Sequence, residues 1–469
     1  RFGPRLCFCT TCSGPSQVCT GSAMSDSSAQ TPMVGDAREE SDSCVKKYFA
    51  KFAGAGAARP PRAALAQTAQ SFLGAFVGMS VLGLLTTYLL KPSLQMSVEV
   101  PPYGAMSVIL FSAFKVPVAQ PYNAIVGNTL GGCVGVLVIL AMKALSIESM
   151  LWLGGALSVS LTILVQELTG SVHPPGGATA LLYAYTPVLQ SLTFGYILVT
   201  SLLGTVILVA LATVMNNLNA DRQYPQTWLN PFVSPSQPKF EQMKPTEMKD
   251  MKGKDPEDGA ASEGDSASEG ESCSMLRSYF SKFGGAGAAV EERKPLSYTV
   301  YSVLGSFVGM AAIGLLHTYV LMPLKPQEVA SLGAPMVLEV AAFGAMSVLL
   351  FSTWKAPLAQ PLNTVAGNTI GGAVGVLVVD VMLWLGIGHL LWLGGALAVA
   401  LTIVVQEATG TLHPPGGATA LLYVINAPLH KMGFLFALCP ACLGAIVMVS
   451  VAVLTNNIAP DRVYPQRWE

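Results

Sequence analysis

The sequence predicts an all-α polytopic membrane protein: two parallel tandem repeats, each of about four full transmembrane helices plus two short broken or re-entrant helices. Three observations carry this. The 469 residues are 52% hydrophobic and only 11% charged, with a mean hydropathy of +0.52, whereas a soluble domain has about 25% charged residues. Apolar runs reach the ~20 residues needed to cross the ~30 Å hydrocarbon core. The block from His173 to Tyr183 returns unchanged from His413 to Tyr423, at an offset of 240 that holds from Gly104 onward. That is the mark of internal duplication.

In chain order, residues 1–68 are rich in Ser, Gly and Ala and are expected to be disordered. The chain starts at Arg1, and Met24 fits an initiator. Cys7, Cys9, Cys12 and Cys19 cluster there with no matching histidine or second cysteine group, so no metal site is expected. The first 30 residues loosely fit a plastid transit peptide, a pattern broken by Asp36, Glu39, Glu40 and Asp42. Tyr48-Phe49-Ala50-Lys51-Phe52 recurs as Tyr279-Phe280-Ser281-Lys282-Phe283 and reads as a juxtamembrane aromatic-basic anchor.

The first membrane domain, 69–229, opens with a span over Ala69–Leu90 carrying Gly74, Gly78 and Gly83, small residues that let helices pack closely. Gly104–Phe114 is apolar but too short to cross, and prolines bound it, so it reads as a half-helix. Spans follow over Ala124–Met142, Leu151–Leu168 and Phe194–Met215, with the block at His173 starting a second half-helix that Pro187 stops. Asn216-Asn217 cap the last span, Arg222 fits a positive-inside face, and Tyr224 and Trp228 fit an interfacial belt. Residues 230–275 form a charged linker expected to be disordered. The second domain, 276–469, repeats the plan, with spans near Val300–Leu321, Ala373–Leu391 or slightly earlier, Leu391–Ala408 and Phe434–Leu454. An even number of crossings per repeat gives both repeats one orientation. The basic residues before the first span and in the linker put both termini on the cytoplasmic side or its organellar equivalent.

Chemistry concentrates where polar residues recur in both repeats. Two prolines suit a first helical turn, and glycines allow close approach to backbone. The positive end of a half-helix attracts anions. The expected anion-binding set is therefore His173, Gly176, Gly177 and Thr179 with His413, Gly416, Gly417 and Thr419, aided by Lys115, Lys355, Asn123 and Asn363. Glu167 and Glu407 each stand six residues before the histidine. A carboxylate beside the imidazole would raise its pKa and couple anion binding to protons. The competing readings are a helix-capping histidine, snorkelling lysines and a helix-end carboxylate in water. Asp380, His317 and His389 have no counterpart in the first repeat, and Cys439-Pro-Ala-Cys442 reads as small packing residues. No serine triad, HExxH or paired intramembrane Asp is present, and the single histidine common to both repeats is too few to hold a metal, so neither an enzyme nor a cofactor is expected. The net charge of −1 argues against nucleic acid as a partner.

The block His-Pro-Pro-Gly-Gly-Ala-Thr-Ala-Leu resembles the signature of the HPP family of integral membrane proteins. So do Gly344 to Phe351, Pro357 to Pro361 with Asn363, and the closing Asn-Asn and Tyr-Pro-x-x-Trp pattern. The resemblance implies four spans per domain. In plant and cyanobacterial members it implies nitrite transport, at the chloroplast envelope in plants. Two such domains in one chain depart from the usual arrangement. The expected function is thus a transporter or channel for a small inorganic anion, nitrite first, with the lipid bilayer as its other partner. A homo-oligomer in the chloroplast envelope or plasma membrane is compatible with this. The alternative is a membrane scaffold or sensor module without transport.

Overall fold

A computed structural model describes residues 45–228, 277–286, 295–323 and 340–469. The expectations for the amino-terminal cysteines, for most of the leading segment and for the linker lie outside the described residues. The first repeat is built of α1 (Leu65–Leu94), α2 (101–112), α3 (Pro121–Ala144), α4 (Leu151–Thr169), α5 (Pro174–Tyr185) and α6 (Tyr196–Asn217). The second is built of α7 (Leu296–Leu321), α8 (Ala341–Ser352), α9 (Pro361–Trp384), α10 (Leu391–Thr409), α11 (Pro414–Ile425) and α12 (Ala437–Asn456). No strand occurs among the described residues. Eight of these helices, four per repeat, are long and apolar enough to cross a membrane. They leave Leu137, Val206, Leu377 and Val381 exposed, the places a lipid-facing surface needs apolar side chains.

Local chemistry sets the boundaries. α4 ends at Gly170 and α10 at Gly410, both with φ near +70°, a left-handed stop that favours glycine. α5 starts at Pro174, because both prolines fit the first turn. α9 is shifted. The sequence reading began that span at Ala373 or slightly earlier, but the helix runs from Pro361 through Gly367, Gly371 and Gly372. Those glycines let other segments come close: a β-carbon on Gly371 would collide with the Gly416 backbone of α11, and one on Gly372 would lie 3.0 Å from Ala437 Cα of α12. The short helices α2 and α8 end in wide turns, with Ala113 N–H donating to the Val108 carbonyl at 3.2 Å and Thr353 N–H to Val348 at 3.3 Å.

The repeats interleave. α1 packs along α10 and α7 along α4, while α2 crosses α11 and α8 crosses α5. At these crossings Gly104 meets Gly417 and Gly344 meets Gly177, backbone to backbone: a β-carbon on Gly177 would lie 2.5 Å from the Gly344 carbonyl oxygen. Ala105, Ala178, Ala341, Ala342, Ala345 and Ala418 fill the space between the four short helices. The larger cores are also shared, with Val399 and Ile403 of α10 packed among first-repeat residues and Val159 of α4 among second-repeat ones.

The aromatic-basic motifs are reciprocal clasps. Lys51 Nζ donates to the Ala459 and Pro460 carbonyls at 2.7 and 3.0 Å, and Lys282 Nζ to the Asn219 carbonyl at 2.7 Å. Trp468 Nε1 donates to the Phe52 carbonyl at 2.9 Å and Trp228 Nε1 to the Phe283 carbonyl at 2.6 Å. Each motif thus ties down the end of the other repeat's last helix, where a cation is favoured. Both clasps sit at one face, called the terminal face below, where α6 and α12 end. The interfacial role expected of Tyr224 is corrected. Its ring is fully buried and its hydroxyl donates to the Ala119 carbonyl at 2.7 Å.

Candidate functional site

Each half-helix start is gripped by a glutamine that the sequence reading passed over. Gln166 Nε2 donates to the Gly127 carbonyl at 2.9 Å and the His173 carbonyl at 3.0 Å, and its Oε1 accepts the His173 amide at 3.3 Å. Gln406 does the same for Gly367 and His413 at 2.8, 3.1 and 3.1 Å. An uncharged polar side chain, fully buried in a span and repeated at the offset of 240, was the available signal. The Thr179 hydroxyl donates to Asn128 Oδ1 at 2.6 Å and the Thr419 hydroxyl to Asn368 Oδ1 at 2.7 Å.

The expected cradle of amides is corrected. Pro174 and Pro175 carry no N–H, and the Gly176 amide donates to the His173 carbonyl at 3.0 Å, as Gly416 does to His413. The later amides lie inside the helix. Gly176 and Gly177 do permit close approach, but what approaches is the backbone of Gly127 and Gly344. The polar edge left at each start is the imidazole. His173 Nδ1 lies 2.7 Å from the Val118 carbonyl and His413 Nδ1 2.8 Å from that of Leu358. A carbonyl only accepts, so Nδ1 carries the proton. Nε2 of both rings is buried without a hydrogen-bond partner.

The expected Glu167–His173 and Glu407–His413 pairs are not formed. The two carboxylates face across the seam between the repeats. Ser112 Oγ donates to Glu407 Oε1. Arg222 is only 4% exposed, and burial lowers its guanidinium pKa while the charge of Glu407 opposes the shift. Arg462, 1% exposed, stands in the same relation to Glu167. Both guanidinium groups lie inside the protein. Arg462 Nη1 donates to the Phe351 carbonyl at 3.1 Å and Asn456 Oδ1 at 3.0 Å, and Nη2 to the Tyr298 carbonyl at 2.6 Å and Ser302 Oγ at 3.0 Å. It thereby ties the last turn of α8 to α7 and α12, as Arg222 ties α2 to α1 and α6.

A cavity of about 710 Å³ lies on this seam, lined from the first repeat by Val118, Asn123 and Glu167 and from the second by Tyr298, Trp354 and Lys355. It brings Asn123, Glu167 and Lys355 together. It does not reach His173, Gly176, Gly177 or Thr179, although Val118, whose carbonyl holds the His173 ring, is in its wall. Asn123 Nδ2 donates to the Val172 carbonyl at 3.1 Å and Asn363 Nδ2 to that of Leu412 at 3.1 Å, so both amides brace the chain before the histidines. Lys115 and Lys355 are exposed, each with its ammonium over the preceding aromatic ring at 5.7 and 5.0 Å. No group of three metal-ligating side chains occurs among the described residues.

Eight spanning helices around four broken ones, with buried histidines at mirrored helix starts, define a polytopic integral membrane protein of tandem design. The family model described as "HPP, transmembrane region" matches residues 60–225 and 291–465, more than half of the chain, and the protein belongs to that family. It is similar to two transmembrane proteins of Dictyostelium discoideum. The first is 36% identical over 193 residues, 40% of this chain and 63% of that protein, and the second 35% identical over 190 residues, 40% and 57%. The chain therefore matches less than two thirds of the length of these relatives. No solved structure matches it.

Proposed function

We propose that this protein moves a small inorganic anion across its membrane, with nitrite as the first ion to test, and that His173 and His413 receive it. The observation that carries the reading is the pair of buried, unpartnered Nε2 atoms at the positive ends of α5 and α11. Because Nδ1 holds the ring proton against a carbonyl, a neutral ring offers an incoming anion only a lone pair. Binding an anion at Nε2 requires a second proton there, so anion and proton arrive together and acid pH strengthens binding. The helix dipole favours the same charge. Lys355 and Asn123 line the vestibule on the terminal face, and the hydrogen bond from Ser112 to Glu407 joins the two repeats. The glycines and threonines of the block serve as the frame of the site.

Liposomes carrying the purified protein, tested with nitrite, nitrate, formate and chloride, decide the matter. The expected result is selective uptake stimulated by external acid, lost in the H173Q/H413Q variant. No flux of any of these ions would overturn the reading. It would favour a scaffold or sensor, for which the sealed alanine packing between the short helices is the supporting observation.

A further inference from the structure

We propose that Glu99 is a second proton-binding site, on the side of the protein away from the terminal face. After α1 the chain turns back. The amides of Val98 and Glu99 both donate to Thr86 Oγ1 at 3.0 Å, fixing this connecting segment beside the preceding helix just before α2 begins. The Glu99 side chain is thereby held inside the protein, 5% exposed, with Oε1 buried and without a hydrogen-bond partner. Oε1 rests against two glycines, one from each repeat: a β-carbon would lie 3.0 Å from it at Gly83 on α1 and 2.7 Å at Gly395 on α10. Any other residue at either place would fill the space the carboxyl occupies.

Ionised, the carboxylate would leave its buried Oε1 without a donor, whereas the protonated acid is neutral. The groups around it leave that balance intact. Lys91, at the exposed end of α1, is the cation that acts on it, and burial outweighs this attraction, raising the carboxyl to about 7. On α10 the neighbouring polar group is the Trp392 indole, whose Nε1 is also buried without a partner. The titratable residues of that helix and its preceding turn are Glu407, at the opposite end, and His389, which is exposed. Across from the segment, Thr200 donates to the Ser97 carbonyl at 3.0 Å and adds no charge. A lone carboxyl with no other ligand suits a proton rather than a metal ion. Glu99-Val100 recurs in the sequence as Glu339-Val340, at the offset that relates the two histidines.

The site itself does not depend on the transport reading, but its use as a coupling site does. The test is infrared spectroscopy of the full-length protein in liposomes across neutral pH. The expected result is a carbonyl band of a buried protonated carboxyl that fades as pH rises, absent in E99Q. In K91Q the same band should fade at higher pH, because the cation that favours ionisation is gone. A band of unchanged intensity and midpoint in E99Q overturns the proposal, as does the lack of any such band in the parent protein. Should E99Q fail to fold, an unmoved midpoint in K91Q overturns it. In the flux assay, E99Q should lose uptake driven by a pH gradient and keep exchange of labelled anion at equal pH. A titrating band in a protein that moves no anion would uphold Glu99 and remove the transport reading.

Discussion

Replacing Gly177 and Gly417 by alanine separates a packed crossing from an open anion path, because the two arrangements predict opposite signs. At Gly177 the new β-carbon would lie 2.5 Å from the Gly344 carbonyl oxygen and 2.7 Å from Val348 Cγ2. Ordinary carbon contacts are ~3.5–4.0 Å, so α5 and α8 would have to part by about 1 Å. Their neighbours are backbone and a packed valine, which cannot swing aside. Gly417 meets Gly104 at the same 2.5 Å. Overpacking of this kind costs about 1–3 kcal/mol at each site. In an open site the same change would instead stabilise by up to about 1 kcal/mol, because alanine is the better helix former. The assay is thermal unfolding in detergent, followed by the monodisperse peak, with Gly284→Ala as the control since nothing lies within 4 Å of a β-carbon there. G177A and G417A should each melt several degrees lower and the control should be unmoved. Equal or higher melting temperatures would refute the backbone crossings as drawn.

Q166L and Q406L each leave a buried histidine amide and two carbonyls without their partner, and each should cost about 1–3 kcal/mol in the same melt, with a larger loss in the double variant. Arg462→Met leaves four acceptors without their donor and should destabilise by about 1–3 kcal/mol; Arg462→Lys should recover only part of this, since an ammonium cannot span four acceptors held in two directions. A chain cut within residues 231–274 and expressed as two pieces should copurify as one complex, while either piece alone should fail to give a monodisperse monomer, because each core contains residues of the other repeat. Recovery of a stable monomer from one piece would contradict the interleaving.

The sequence revealed the helices, the two breaks per repeat and the common orientation, because hydropathy, proline and an exact repeat are local signals. It did not reveal partners. Lys51 read as a membrane anchor, yet it caps a helix more than 400 residues away. Glu167 read as the neighbour of His173, yet it faces the other repeat. The paired glycines were recognised as places of close approach, but glycine marks the space and not the group that enters it. Gln166 and Glu99 were missed for opposite reasons. Gln166 is uncharged and stands beside Glu167, whose charge is the stronger local signal, and Glu99 lies in a connecting segment that the hydrogen bonds to Thr86 bring inside.

The interleaving also bears on how the two halves can change. In an assembly of two identical chains every substitution strikes both sides of the axis at once, so a position near the centre must suit both of its roles. Here the halves share one polypeptide but not one sequence. Pro101-Pro102 opens α2 where Ala341-Ala342 opens α8, and Ser201 and Thr205, which surround Asn128, are replaced around Asn368 by Ala441 and Ala445. One half-helix site therefore keeps hydroxyls that the other lacks. Fusion frees two buried histidines built on the same plan to sit in unequal surroundings, so the two halves can come to differ in what they hold and when they release it.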